Sequence, residues 1–161
     1  MDQASNTIFV EFTECSHRCI YFNVNVGGCE VNIRASEVFD PFPDLIAWLE
    51  AVAVGVQECA FDMEEEGPEK RFEYKKSGRG KCRFRITDNY EEILLETLVD
   101  PKQLVSEFYN SLKVFASSDE YQKNKSEWED ELLWERMSKI TNPHATREVV
   151  LHALLQKNRG K

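Results

Sequence analysis

A chain of 161 residues and 18.7 kDa is one domain's worth of material. At this size about 70% of the unfolded surface can be buried without a disulfide or metal staple. Apolar residues make up 42% and charged residues 30%, which excludes collagen, coiled-coil rods, disulfide scaffolds and a wholly disordered tail.

The first ninety-odd residues read mostly as strands. Thr7 to Phe12 is apolar and β-prone. From Arg18 to Val26 the apolar set Ile20, Phe22, Val24 and Val26 alternates with Asn23 and Asn25, the period-2 signature of a half-buried strand. Gly27-Gly28 supplies the positive φ of a two-residue hairpin, and Cys29, Val31 and Ile33 resume the alternation. Asp40-Pro41-Phe42-Pro43-Asp44 predicts a rigid helix entry, with Pro43 in the first turn and Asp44 at the positive dipole end. Leu45, Leu49, Val52 and Ala53 then fall at helical spacing, and Gly55 is the expected stop.

Strands return at residues 58–63, 70–75 and 81–87, each with one apolar and one charged face, as in an antiparallel sheet with one wet side. Residues 93–98 read as a further short strand. Asp100-Pro101 is a cap followed by a first-turn proline. Leu104, Phe108, Leu112 and Phe115 continue it as an amphipathic helix. Ser126-Glu127-Trp128-Glu129 fits a capping box and opens a helix to about Lys139, and Asn142-Pro143 opens a last one. Strands first and helices after predict one α+β domain over 1–161. The expectation is an antiparallel sheet of about six strands, packed against a central helix and three C-terminal helices.

The block Asp40-Pro41-Phe42-Pro43-Asp44-Leu45-Ile46-Ala47-Trp48-Leu49-Glu50-Ala51 resembles one shared by a group of small bacterial proteins. An acidic turn after a strand (Glu65-Glu66-Gly67) and a helix of the form DPxQLVxxFY (Asp100–Tyr109) extend the likeness over roughly residues 36–135. The resemblance transfers no catalytic residue. Some small acidic bacterial proteins of this type look like immunity proteins, which neutralise a toxin domain; that step is fold-level analogy.

Lys plus Arg is 20 and Asp plus Glu is 29, a net charge of −9. Such a chain repels a phosphate backbone on average and attracts basic partners. The charge is uneven: residues 1–80 hold 7 basic and 15 acidic groups, residues 81–161 hold 13 and 14. No apolar run approaches the ~20 residues of a membrane span, and MDQASNTIFV lacks the basic and apolar regions of a signal peptide. The five cysteines, Cys15, Cys19, Cys29, Cys59 and Cys82, cannot all pair in one chain. They suit a reducing compartment, so a cytoplasmic location is expected.

Cys15, His17 and Cys19 would share a face on a continuous strand and could ligate a metal with Cys29. Structural zinc sites use a second paired unit that is missing here, and buried single thiols are common. His17, His144 and His152 are the only imidazoles, and no G-x-S-x-G, Walker-type or G-x-G-x-x-G motif accompanies them. Residues 70–85 hold eight bases interleaved with Phe72, Tyr74 and Phe84. The alternation sets the aromatics and the bases on opposite faces, which disfavours nucleic-acid stacking, with Asp62 and Glu64 as cross-strand partners for the bases. In the capping-box helix, Glu127, Glu131 and Glu135 recur every four residues beside Asp130, and Trp134 shares that face. An aromatic among acids resembles an interface anchor with a charged rim; the simpler account is a Trp under a loop and solvated acids.

The expectation is a non-enzymatic protein-binding domain without cofactor or metal. Glu64, Glu65, Glu66, Glu127, Asp130, Glu131, Trp134 and Glu135 would present acid to a basic protein, a toxin domain being one form. No membrane is involved. The alternative is a nucleic-acid-binding module through the hairpin 70–85, although nucleic acid is disfavoured as a partner.

Overall fold

A computed structural model describes residues 7–39 and 41–124. The strands fall where the period-2 pattern predicts them. Three form one antiparallel sheet: β1 (Ile8–Ser16), β2 (Cys19–Val26) and β3 (Cys29–Ser36). Helix α1 (Phe42–Val54) then carries the chain to a second antiparallel sheet in the order β4 (Glu58–Glu64), β5 (Glu69–Lys76), β6 (Cys82–Asp88) and β7 (Ile93–Val99). Helices α2 (Pro101–Ala116) and α3 (Asp119–Asn124) follow. The class is α+β. The single six-stranded sheet expected from the sequence is corrected, among the described residues, to seven strands in two sheets. The break falls between β3 and β4, on either side of α1: β3 bonds to Leu94 and Glu65 at one end of the second sheet and does not pair with β4.

Helix α1 starts at Pro41, whose carbonyl accepts the Leu45 N–H at 2.8 Å. It ends at Gly55, where φ is +82° and the N–H bonds to the Val52 carbonyl at 3.0 Å, a left-handed cap that favours glycine. Eight of its thirteen residues are buried, more than the expected stripe, because sheet and helix cover it on several sides. Trp48 holds the centre, with ring centroids of Phe61, Phe72, Phe84 and Phe108 at 5.7, 6.0, 5.8 and 6.3 Å. Its indole N–H donates to the Cys59 carbonyl at 3.3 Å, which satisfies the polar edge of a buried ring. A single cluster of buried side chains draws on both sheets and all three α-helices.

Helix α2 opens as predicted: Asp100 accepts the Lys102 N–H at 2.9 Å, with Pro101 next. Short α3 is an addition to the predicted elements; Ser118 caps it by accepting the Tyr121 N–H at 3.2 Å. The helices expected from Ser126 and Asn142 lie outside the described residues.

Both edges of the first sheet are closed by side chains. At β1, the Val10 N–H donates to Glu107 Oε1 at 2.9 Å and the Val10 carbonyl accepts from the Ser111 hydroxyl. Five residues on, the Cys15 N–H donates to Glu120 Oε1 at 3.2 Å and its carbonyl accepts from Asn124 Nδ2 at 2.7 Å. At β3, the Arg34 N–H donates to Glu65 Oε2 at 2.8 Å. Cys29, at the start of β3, donates to the Leu94 carbonyl of β7 at 3.2 Å. Leu94 and Glu65 stand at opposite edges of the four-stranded sheet, so β3 runs across the end of that sheet and not along one of its strands.

Candidate functional site

Register decides which charges of the second sheet meet. Asp62 faces Arg71, and Glu73 faces Arg85, which in turn faces Glu96. Two of these contacts are ion pairs: Arg71–Asp62 at 2.9 Å and Arg85–Glu96 at 2.7 Å. The aromatics Phe72, Tyr74 and Phe84 are buried on the other face, as the alternation requires. Of the partners expected for the basic hairpin, Asp62 serves; Glu64 faces Glu69 instead. Glu96 on β7 is a partner that the sequence does not indicate, because only the β6–β7 register reveals it.

The two ends of this sheet carry opposite charge. At one end lie the β4–β5 turn, with Glu64, Glu66 and Glu69, and the β6–β7 turn, with Asp88, Glu91 and Glu92. At the other end lies the β5–β6 turn, flanked by Lys75, Lys76, Arg79, Lys81 and Arg83, with Glu58 at the start of β4 facing Lys75. Seven residues of extended strand separate Glu69 from Lys76, about 23 Å at ~3.3 Å each.

The acidic end departs from expectation at one residue. Glu64 and Glu66 are exposed, but Glu65 is 5% exposed and unavailable to a partner. Its carboxylate accepts the Arg34 N–H and pairs with the Lys70 ammonium, and its carbonyl accepts from the Arg34 guanidinium. The physical reason is the β3 edge, whose part-buried N–H needs an acceptor. Glu66 takes φ +61° and accepts from Cys19 Sγ at 3.9 Å. The predicted face of Glu127, Asp130, Glu131, Trp134 and Glu135 lies outside the described residues.

The β6–β7 turn adds an apolar centre. Tyr90 is 84% exposed and Ile93 51% exposed. Asp88 Oδ1 accepts the Tyr90 and Glu92 N–H groups, both at 2.9 Å, while the Glu92 carbonyl accepts the Asp88 N–H at 3.0 Å. Tyr90 is thus held out on a braced turn among Asp88, Glu91 and Glu92. The sequence signal for it is Asp88-Asn89, an Asx-turn opening, which by composition alone marks only a break between strands.

The basic end borders an open depression of about 390 Å³ on the outer face, above the short side chain of Ala60. Its walls mix signs: Glu58 and Glu73 against Arg71, Lys75 and Arg83.

The cysteines and histidine of the metal reading separate. His17 and Arg18, at φ +52° and +61°, make the β1–β2 turn, so Cys15 and Cys19 sit on different strands and His17 is exposed. Burial pushes the Cys82 thiol up to about 12, with the nearby Asp100 carboxylate adding to the effect and Lys81 opposing it. Burial also raises Cys19 and Tyr74. Among the described residues, no group of three His, Cys, Asp or Glu could hold a metal ion, and no helix is long and apolar enough to cross a membrane. No known protein family, curated protein or solved structure matches the chain.

Proposed function

We propose that the protein is a non-enzymatic binding domain whose acidic sheet end takes a basic protein partner. The observation that carries this reading is Tyr90, largely exposed on a braced turn and rimmed by Asp88, Glu91 and Glu92, with Glu64 and Glu66 at the same end. Tyrosine is enriched among the anchors of protein interfaces. The two bonds to Asp88 fix the turn in advance, which lowers the ordering cost of association. The surrounding carboxylates steer a cationic partner and set its orientation. Burial favours the protonated form of Cys19 and Cys82, which makes these two thiols poor nucleophiles, since the thiolate is the reactive form. Glu127, Asp130, Glu131, Trp134 and Glu135 stay candidate contacts on sequence grounds alone, outside the described residues. Neutralisation of a toxin in a bacterial cytoplasm is one concrete form, and a basic nuclease would suit the charge.

The test is calorimetric titration, with stopped-flow association kinetics, against the product of the neighbouring gene at two salt concentrations. Tyr90→Ala weakens binding about tenfold or more, some 1.4 kcal/mol. Glu91→Lys with Glu92→Lys slows association and flattens its salt dependence. Affinity indifferent to salt and unchanged in both variants overturns the proposal.

A further inference from the structure

We infer that the Tyr90 turn of one copy docks in the depression at the basic end of the four-stranded sheet of a second copy, so that the chain associates with itself head to tail. The contact rests on the reading above in taking Tyr90 as an interface anchor, and adds the surface that receives it. The knob is Tyr90, exposed on a turn fixed by two hydrogen bonds to Asp88 and rimmed by Asp88, Glu91 and Glu92. The socket is the open depression of about 390 Å³ over Ala60, walled by Glu58, Glu73, Lys75 and Arg83. Lys75 and Arg83 face each other across β5 and β6, and like charges so placed are destabilising. Glu58 faces Lys75, and Glu73 lies between Ala60 and Arg85. None of these four charges is in an ion pair among the described residues. Lys70, Arg71 and Arg85, by contrast, are committed to Glu65, Asp62 and Glu96.

The mixed signs of the socket select a phenol with an acidic rim. A ring seated over Ala60 meets the guanidinium of Arg83, a favourable cation for an aromatic face. Leu98, exposed on β7, faces Arg83 and extends the apolar contact. Glu58 and Glu73 can accept from a phenol O–H, whereas they repel a bare phosphate or carboxylate. The rim of the knob finds counter-charges in Lys76, Arg79 and Lys81 around the β5–β6 turn. Of the exposed aromatics among the described residues, Phe9, Phe39 and Tyr90, only Tyr90 carries a hydroxyl. One copy cannot make this contact with itself, because about 23 Å of paired strand separates the two ends. The contact therefore joins two copies and leaves one knob and one socket unused, a heterologous interface that propagates. A single turn in an open depression buries less than the ~1,200 Å² of a stable complex, so association is weak. The net charge of −9 does not prevent it, because acidic ends of successive copies stay about 23 Å apart, beyond the ~8 Å screening length. Assembly covers the Tyr90 turn, so self-association and capture of a basic partner exclude each other.

Sedimentation velocity of the full chain from micromolar to millimolar concentration tests the contact. The mean sedimentation coefficient rises with concentration. Tyr90→Ala removes the knob and Arg83→Glu reverses the socket, and each raises the Kd of self-association at least ~10-fold. Mixed at equal concentration, these two variants form a complex limited to two copies, because one keeps the socket and the other the knob. Ala60→Trp fills the depression without altering charge and acts as Arg83→Glu does. Both socket positions lie on the outer face of the sheet. Circular dichroism checks that each variant is folded, and if one socket variant loses its spectrum the other carries the test. A parent chain that stays monomeric across the range overturns the inference. So does a mixture that forms no complex, or folded socket variants that associate as the parent does. A monomeric parent whose binding to the product of the neighbouring gene is lost in Tyr90→Ala overturns the self-contact alone and leaves the earlier reading standing.

Discussion

Glu65 shows how one side chain can read as surface and serve as structure. In sequence it is the middle of three glutamates before Gly67-Pro68, a solvated turn by composition. In the fold it answers a backbone N–H of β3 and the ammonium of Lys70. Removing one partner from a buried charged set leaves the others desolvated and unmatched. Glu65→Ala is expected to cost about 2–4 kcal/mol, and Glu64→Ala, at an exposed position, under about 0.5 kcal/mol. Urea unfolding of the two variants measures the contrast. Cys82 makes a pH prediction. Its thiol is raised from 9.0 to about 12 in the fold, so the native state keeps a proton that the unfolded chain releases. The contribution is full below pH 9 and is lost as pH rises toward 12. The alkaline fall in urea midpoint should therefore be shallower in Cys82→Val than in the parent chain.

At the scale of elements, α2 and α3 stand in for a missing strand. A neighbouring strand would give Val10 one acceptor and one donor, and Glu107 and Ser111 supply them from adjacent turns of one helix. Glu120 and Asn124 repeat the device for Cys15 with the same four-residue spacing. An uncovered strand edge is a template for another chain. Glu107→Ala and Ser111→Ala should each cost about 1 kcal/mol. Together they should expose the edge of β1, seen as concentration-dependent growth in light scattering that neither single variant shows. The sequence does not announce these caps, because nothing in a glutamate at 107 names a strand 97 residues earlier. It does announce the strands and helix ends, because alternation, Gly55 and Asp100-Pro101 act through local backbone geometry.

Across the whole molecule, legibility follows the range of the forces involved. The inward sets of β2, β5 and β6 are readable from period alone, whereas the partition into two sheets depends on where α1 carries the chain. The acid run at 64–66 and the bases up to 83 are plain in the sequence. Their separation to opposite ends of one sheet needs the register that pairs Lys70 with Asp88 and Lys76 with Cys82. Tyr90 is inconspicuous in the sequence because exposure of a turn aromatic is a property of the packed surface and not of its neighbours along the chain. The molecule is thus acidic in sum and bipolar in detail, with Tyr90 exposed at its negative end.

The side chains that close β1 also set an order of events during synthesis. Val10 and Cys15 leave the ribosome first, while Ser111 and Asn124 follow 101 and 109 residues later. At about 5–20 residues per second, that strand margin waits some 5–20 seconds for its cover. Throughout that interval the nascent chain displays an open hydrogen-bonding rim, a template that neighbouring chains on a polysome can pair with.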